Sequence, residues 1–146
     1  MNDVMEQSRN FFDSGYYCAE SVIRSIAGHY GADPDLLTKV ATGFCAGVSR
    51  TSGMCGAVSG AIMAIGLIKG RTSPEQPVYP VYILVQRLLD SFAKEFGSIN
   101  CGHLVGCDLN RPEGQTWFKE NDLRSRCSNF TGQATRMALE IISRAD

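Results

Sequence analysis

The sequence has no long apolar run. The longest, residues 57–68, falls short of the roughly 18 residues that span a bilayer, and two glycines and a serine interrupt it. Its start, Met-Asn-Asp-Val-Met-Glu-Gln-Ser-Arg, is polar and lacks the apolar centre of a secretory signal. A soluble, cytoplasmic protein with no membrane insertion is expected. Lys and Arg are scattered without a run and the net charge is −1, so there is no general attraction to nucleic acid or acidic lipid. No Cys-x-x-Cys occurs, which removes the usual signature of thioredoxin-like chemistry and of zinc ribbons. Ferredoxin spacings are also missing. The glycine-rich loop has no Lys-Ser or Lys-Thr after its last glycine, so it is not a phosphate-binding P-loop. No apolar/polar alternation lasts long enough to make a strand, and neither an internal repeat nor a low-complexity segment is present.

What is present is one domain's worth of chain, 146 residues with 44% apolar and 20% charged content. A chain of this length buries about two-thirds of its unfolded surface, enough for a core without disulfides or structural metal. Its six cysteines are therefore free for chemistry. In a cytoplasmic protein they read as metal ligands or redox thiols rather than a static framework, for which fifteen connectivities would be open.

Apolar spacing predicts helices throughout. Asn2 or Asp3 caps a first helix through Phe12. A second opens at Cys18 with Ala19, Val22, Ile23 and Ile26 on one face, and Asp33-Pro34 starts a third that reaches Gly43. Residues 43–53 read as an irregular glycine-rich loop. A buried central helix follows to about Lys69, and residues 71–77 are an exposed connection. The strongest stripe is Val81, Leu84, Val85, Leu88, Leu89, Phe92 and Phe96, ended by Gly97. Residues 108–121 read as a loop with a short turn around Trp117. Cys127 is expected just before a final helix that carries Phe130, Ala134, Met137, Ala138, Ile141 and Ile142. The expected architecture is an all-α, compact single-domain bundle of five or six helices over residues 1–146.

On that reading Cys18, Cys55, Cys101 and Cys127 each sit at or just before a helix start. Unpaired backbone N–H groups and the positive end of the helix dipole favour thiolate there, so each pKa should fall below the free value of about 8.5. Gly56 and Gly60 after Cys55 remove side-chain bulk and would let another group or a cofactor approach the sulfur. Converging thiolates repel, so such a cluster calls for a cation, a proton or a disulfide. His103 and Cys107 flank Cys101 and could add ligands, although Gly102 and Gly106 make that stretch equally a turn. Arg50 could hold a thiolate or an anion, or lie solvated. His29, at a helix end, reads as a cap or surface residue.

These residues resemble the C_GCAxxG_C_C family, small bacterial and archaeal proteins described as redox-active. Its Cys-Gly-Ala-x-x-Gly motif stands here as Cys55-Gly56-Ala57-Val58-Ser59-Gly60. The other three family cysteines match Cys18 in Gly-Tyr-Tyr-Cys-Ala-Glu, Cys101 after Phe96-Gly97-Ser98, and Cys127. Cys45 and Cys107 lie outside the pattern, and pairing with each other, extending the site and having no role are all open to them. The resemblance implies a redox role and, because members are often encoded beside transporter genes, a redox partner or transporter-associated protein. It supplies no substrate.

Three readings follow. In the first, Cys55 and one of Cys18, Cys101 or Cys127 cycle between thiol and disulfide, or one forms a sulfenic acid that another resolves. In the second, the same four cysteines, with His103 as a further candidate, bind an iron–sulfur cluster or zinc. In the third, the chain is a structural helical interaction protein. A homodimer through an apolar helix face is open, without a specific seam to support it.

Overall fold

A computed structural model describes residues 1–145. Among them are eight right-handed α-helices: α1 Asn2–Asp13, α2 Cys18–His29, α3 Pro34–Ala41, α4 Gly56–Lys69, α5 Tyr79–Phe96, α6 Cys101–Val105, α7 Pro112–Glu120 and α8 Leu123–Ser143. A 3-10 turn, Thr42–Phe44, follows α3. The all-α class agrees with the sequence reading, whereas the count exceeds the five or six expected. The surplus is short helices. The expected loop at 108–121 holds α7, which opens with Pro112 in its first turn and is capped by Asn121 after Glu120. No described helix is long and apolar enough to cross a membrane.

The core is built around α2, where Ala19, Val22, Ile23, Ile26 and Ala27 are fully buried. This helix packs against α1, α3, α4 and α8. Its most extensive contact is with α4, where Gly60 sits directly against α2. A Cβ on Gly60 would lie 2.7 Å from the Ala19 carbonyl oxygen and 2.9 Å from the Val22 Cβ, with no flexible group to yield. Gly60→Ala is expected to lower the unfolding free energy by about 1–3 kcal/mol, the ordinary cost of overpacking, read as a lower urea midpoint. Beyond that contact, Phe92 and Phe96 of α5 meet Phe130 of α8, with ring centroids 5.9 and 4.9 Å from it.

Five hydroxyls enter the core without being stranded. Ser8, Ser21, Ser25, Thr131 and Thr135 are buried, and each donates to a carbonyl about one turn earlier at 2.7–2.9 Å. Small polar residues therefore read as interior positions here, because the helix itself supplies their partner.

Between α3 and α4 the chain does something its composition does not announce. Residues 46–50 all have positive φ, at 56°, 67°, 58°, 56° and 67°, and wind as a left-handed turn. Only Gly47 adopts that region freely; each of the other four pays about 1–2 kcal/mol. The turn is closed by its own polar groups. The Gly47 carbonyl accepts from Thr51 N–H at 3.2 Å and Gly53 N–H at 2.9 Å, and the Ser49 hydroxyl donates to the Gly43 carbonyl at 2.8 Å.

Candidate functional site

Helix ends place the cysteines. Cys18 is the first residue of α2, and that start is fixed by Glu20, whose carboxylate accepts from Tyr17 N–H at 2.9 Å and from the Thr42 hydroxyl at 2.9 Å. Cys55 is the N-cap of α4, and Cys101 is the first residue of α6. These two segments are stitched together, since Cys55 N–H donates to the Ile99 carbonyl at 2.7 Å and Cys101 N–H to the Gly53 carbonyl at 2.8 Å. Cys127 departs from expectation. It lies inside α8, which begins at Leu123, because the opening turn Leu-Arg-Ser-Arg is helical without carrying the apolar stripe. That turn is anchored by Arg124, which donates to the Phe12 carbonyl at 2.6 Å, and by Arg126, which donates to the Leu104 carbonyl at 3.1 Å.

All four thiols line one cavity of about 520 Å³, together with Gly56. The sequence separation from residue 18 to residue 127 is thus closed by the bundle. Gly56 abuts the Cys18 sulfur, so that a Cβ there would collide with it. Gly47 does the same for Cys101, where a Cβ would come within 3.2 Å of the sulfur. Gly60 lies instead in the α2–α4 contact and not on the cavity wall. His103 is exposed, beside the Ser98 hydroxyl at 3.4 Å, and is not part of the lining. Among the described residues no three His, Cys, Asp or Glu side chains are arranged to hold a metal ion. The donor set for the zinc or iron–sulfur reading is therefore not assembled in this arrangement.

The thiols are not equivalent. The expectation that all four are acidified holds for Cys18 alone. Its pKa is drawn down to about 7, first by a hydrogen bond from the Cys45 thiol and then by the N–H groups of Ala46, Ala19 and its own residue, against the opposing effect of burial. Cys45 is driven far up, because its proton is the one that Cys18 uses and because it is buried. Cys55 is raised by burial and by the nearby Cys18 charge, although the N–H groups of Ala57 and Val58 pull the other way. Cys101 is pushed up to about 11 by burial, Cys18 and Cys107. Cys127 reaches about 12 through burial and the charges of Cys18 and Cys101, with Arg124 and Arg126 offsetting only part. At Cys55 and Cys101 desolvation outweighs the helix start, and Cys127, inside α8, has no helix start to oppose it. Cys107, half-buried, is also raised by burial and by Asp108.

Cys45 is the residue that sequence reasoning set aside. It follows the 3-10 turn and opens the left-handed turn. Its thiol donates to the Ala41 carbonyl oxygen at 3.8 Å, and it is also the largest influence on the acidity of Cys18. The one available signal was its place in a Gly-Phe-Cys-Ala-Gly stretch too glycine-rich for a helix interior.

The family described as "Putative redox-active protein (C_GCAxxG_C_C)" matches residues 16–141. The chain belongs to this family. The match spans α2 through most of α8, so it takes in every cysteine of the cavity as well as Cys45 and Cys107. No curated protein and no solved structure matches the chain.

Proposed function

We propose that the protein is a thiol–disulfide exchange protein in which Cys18 is the attacking thiolate and Cys45 the thiol that resolves it. The observation carrying this reading is the Cys18 sulfur on the wall of a cavity shared with Cys55, Cys101 and Cys127, its pKa lowered chiefly by the buried Cys45 thiol. Cys18 attacks one sulfur of a substrate disulfide R–S–S–R, breaking that bond, forming Cys18–S–S–R and releasing one thiolate. Once Cys18 is a neutral mixed disulfide its charge no longer opposes ionisation of Cys45, which gives up its proton, attacks the Cys18 sulfur and releases the second thiolate. The protein pair loses two electrons and becomes a disulfide, the substrate gains them, and the two thiol protons end on two R–SH molecules. Cys55, Cys101 and Cys127, held protonated in the same cavity, are positioned to take over the disulfide by further exchange. This differs from a cycle led by Cys55, whose buried thiol is poorly ionised at neutral pH.

Alkylation of the reduced protein by iodoacetamide tests it. At pH 7 about half of Cys18 is thiolate, whereas a thiol of pKa 11 is ionised to about one part in 10⁴. Allowing for the weaker nucleophilicity of a less basic thiolate, one cysteine should react roughly 50–100-fold ahead of such a thiol. Its rate should rise tenfold per pH unit below about 6 and level off above about 8. Survival of the fast phase in Cys18→Ser, or a midpoint near 9, would remove Cys18 from the role.

A further inference from the structure

The cavity wall carries a charge balance that the chain as a whole does not. The protein's net charge is −1, yet the cavity is lined by Arg50, Lys119 and Arg124 against the single carboxylate of Asp122. These cations come from three separate elements, the left-handed turn, α7 and α8, so no one helix period accounts for their meeting. Arg50 and Lys119 are exposed and form no ion pair among the described residues. Arg124 is half-buried and held in place, with its guanidinium 4.6 Å from the centre of the Phe12 ring and bonded to the Phe12 carbonyl. Asp122 is partly engaged already, accepting from the Ser125 hydroxyl at 3.0 Å. The remaining wall is largely apolar, with Phe12, Leu104, Val105, Phe118 and Phe130.

We propose that the cavity takes a low-molecular-weight organic disulfide bearing carboxylates, its sulfurs beside Cys18 and its carboxylates on Arg50, Lys119 and Arg124. This rests on the thiol–disulfide reading above and names its substrate class. A volume of about 520 Å³ suits a small molecule enclosed on several sides, and the apolar walls exclude water from the exchanging sulfurs. Unpaired cations at the rim raise the local concentration of an anion and speed its arrival. They also stabilise the negative charge that reaches the departing thiolate. A cationic disulfide meets the opposite field.

The test is the rate of oxidation of the fully reduced protein at pH 7 by three probes. They are 3,3′-dithiodipropionate (a dianion), 2-hydroxyethyl disulfide (neutral) and cystamine (a dication), each normalised to its rate with 2-mercaptoethanol. The dianion should lead the neutral probe by about tenfold and the dication should trail it. The lead should shrink in 0.5 M salt and in the R50Q/K119Q double variant, whose altered side chains are exposed and outside the core. Equal normalised rates, or an order that the variant and salt leave unchanged, would overturn the substrate class. So would faster oxidation by the disulfides of insulin than by any of the three. If the neutral probe oxidises no cysteine, it is the exchange reading that fails; if it does so without charge preference, only the substrate class falls.

Discussion

Replacing Cys45 by alanine should raise the midpoint of Cys18 reactivity from near pH 7 to 8 or above and slow its reaction at pH 7 roughly two- to eightfold. A hydrogen bond to a charged acceptor contributes about 1.5–3 kcal/mol, which corresponds to one to two pK units once the donor is gone. The sign follows from which form is favoured: the Cys45 proton stabilises thiolate over thiol at Cys18, so its loss moves the titration upward. The same variant should accumulate a mixed disulfide at Cys18 that persists after excess oxidant is removed, because Cys45 is gone and the remaining cavity thiols, Cys55, Cys101 and Cys127, are held protonated by burial. Cys45→Ser separates the two effects. Its hydroxyl can still donate to the Cys18 sulfur and should keep part of the acidification, while the mixed disulfide should remain trapped as in the alanine variant. Mass spectrometry of the intact protein reads the adduct and stopped-flow alkylation reads the midpoint. Rapid clearance of the adduct in both variants would show that another cysteine resolves Cys18.

The second large effect is expected at Gly56. An alanine methyl there would collide with the Cys18 sulfur, and the other groups close to it are backbone, the Phe44 carbonyl at 3.1 Å and Ala19 N at 3.2 Å. The sulfur is the group that must give way, and moving it breaks its contact with Cys45. Gly56→Ala should therefore abolish the fast-reacting thiol, a loss of tenfold or more at pH 7, with destabilisation of about 1–3 kcal/mol. Gly60→Ala is the matched control. It overpacks the same pair of helices, but against Ala19 and Val22 and away from the cavity, so it should lower stability while leaving the fast thiol intact. A fast thiol that survives both substitutions would mean that the Gly56 approach has no part in placing Cys18.

Much of this was legible in the residues. The stripe from Val81 to Phe96 gave a helix whose end at Gly97 has the left-handed conformation, φ 86°, that glycine favours. Asp33-Pro34 reads correctly as a cap, with the Asp33 carboxylate accepting from the N–H groups of Asp35 and Leu36. Cys18, Cys55 and Cys101 do stand at helix starts, because small or capping residues and the onset of apolar periodicity mark the same boundary. The misplacements share one cause. Helical segments that bury few side chains show no stripe, so the polar first turn of α8 hid the position of Cys127, and α7 passed for a loop. The acidities were less legible still. A helix start lowers a thiol pKa only if the sulfur keeps its solvation or gains a donor, and which cysteine meets Cys45 depends on contacts between distant segments. Nothing in residues 46–50 apart from Gly47 signals positive φ.

That turn bears on the resilience of the whole molecule. A peptide of mirror-image residues would coil this way without steric penalty; Ala46, Val48, Ser49 and Arg50 do it against a combined opposition of about 4–8 kcal/mol. This is of the order of an entire domain's margin against unfolding. The bundle must supply that surplus in addition to its own cohesion, and a lesion anywhere in the core draws on the same reserve. Relief of that strain favours local opening of residues 46–50, next to Cys45, so amide hydrogen exchange is expected to be faster there than in α2 or α4.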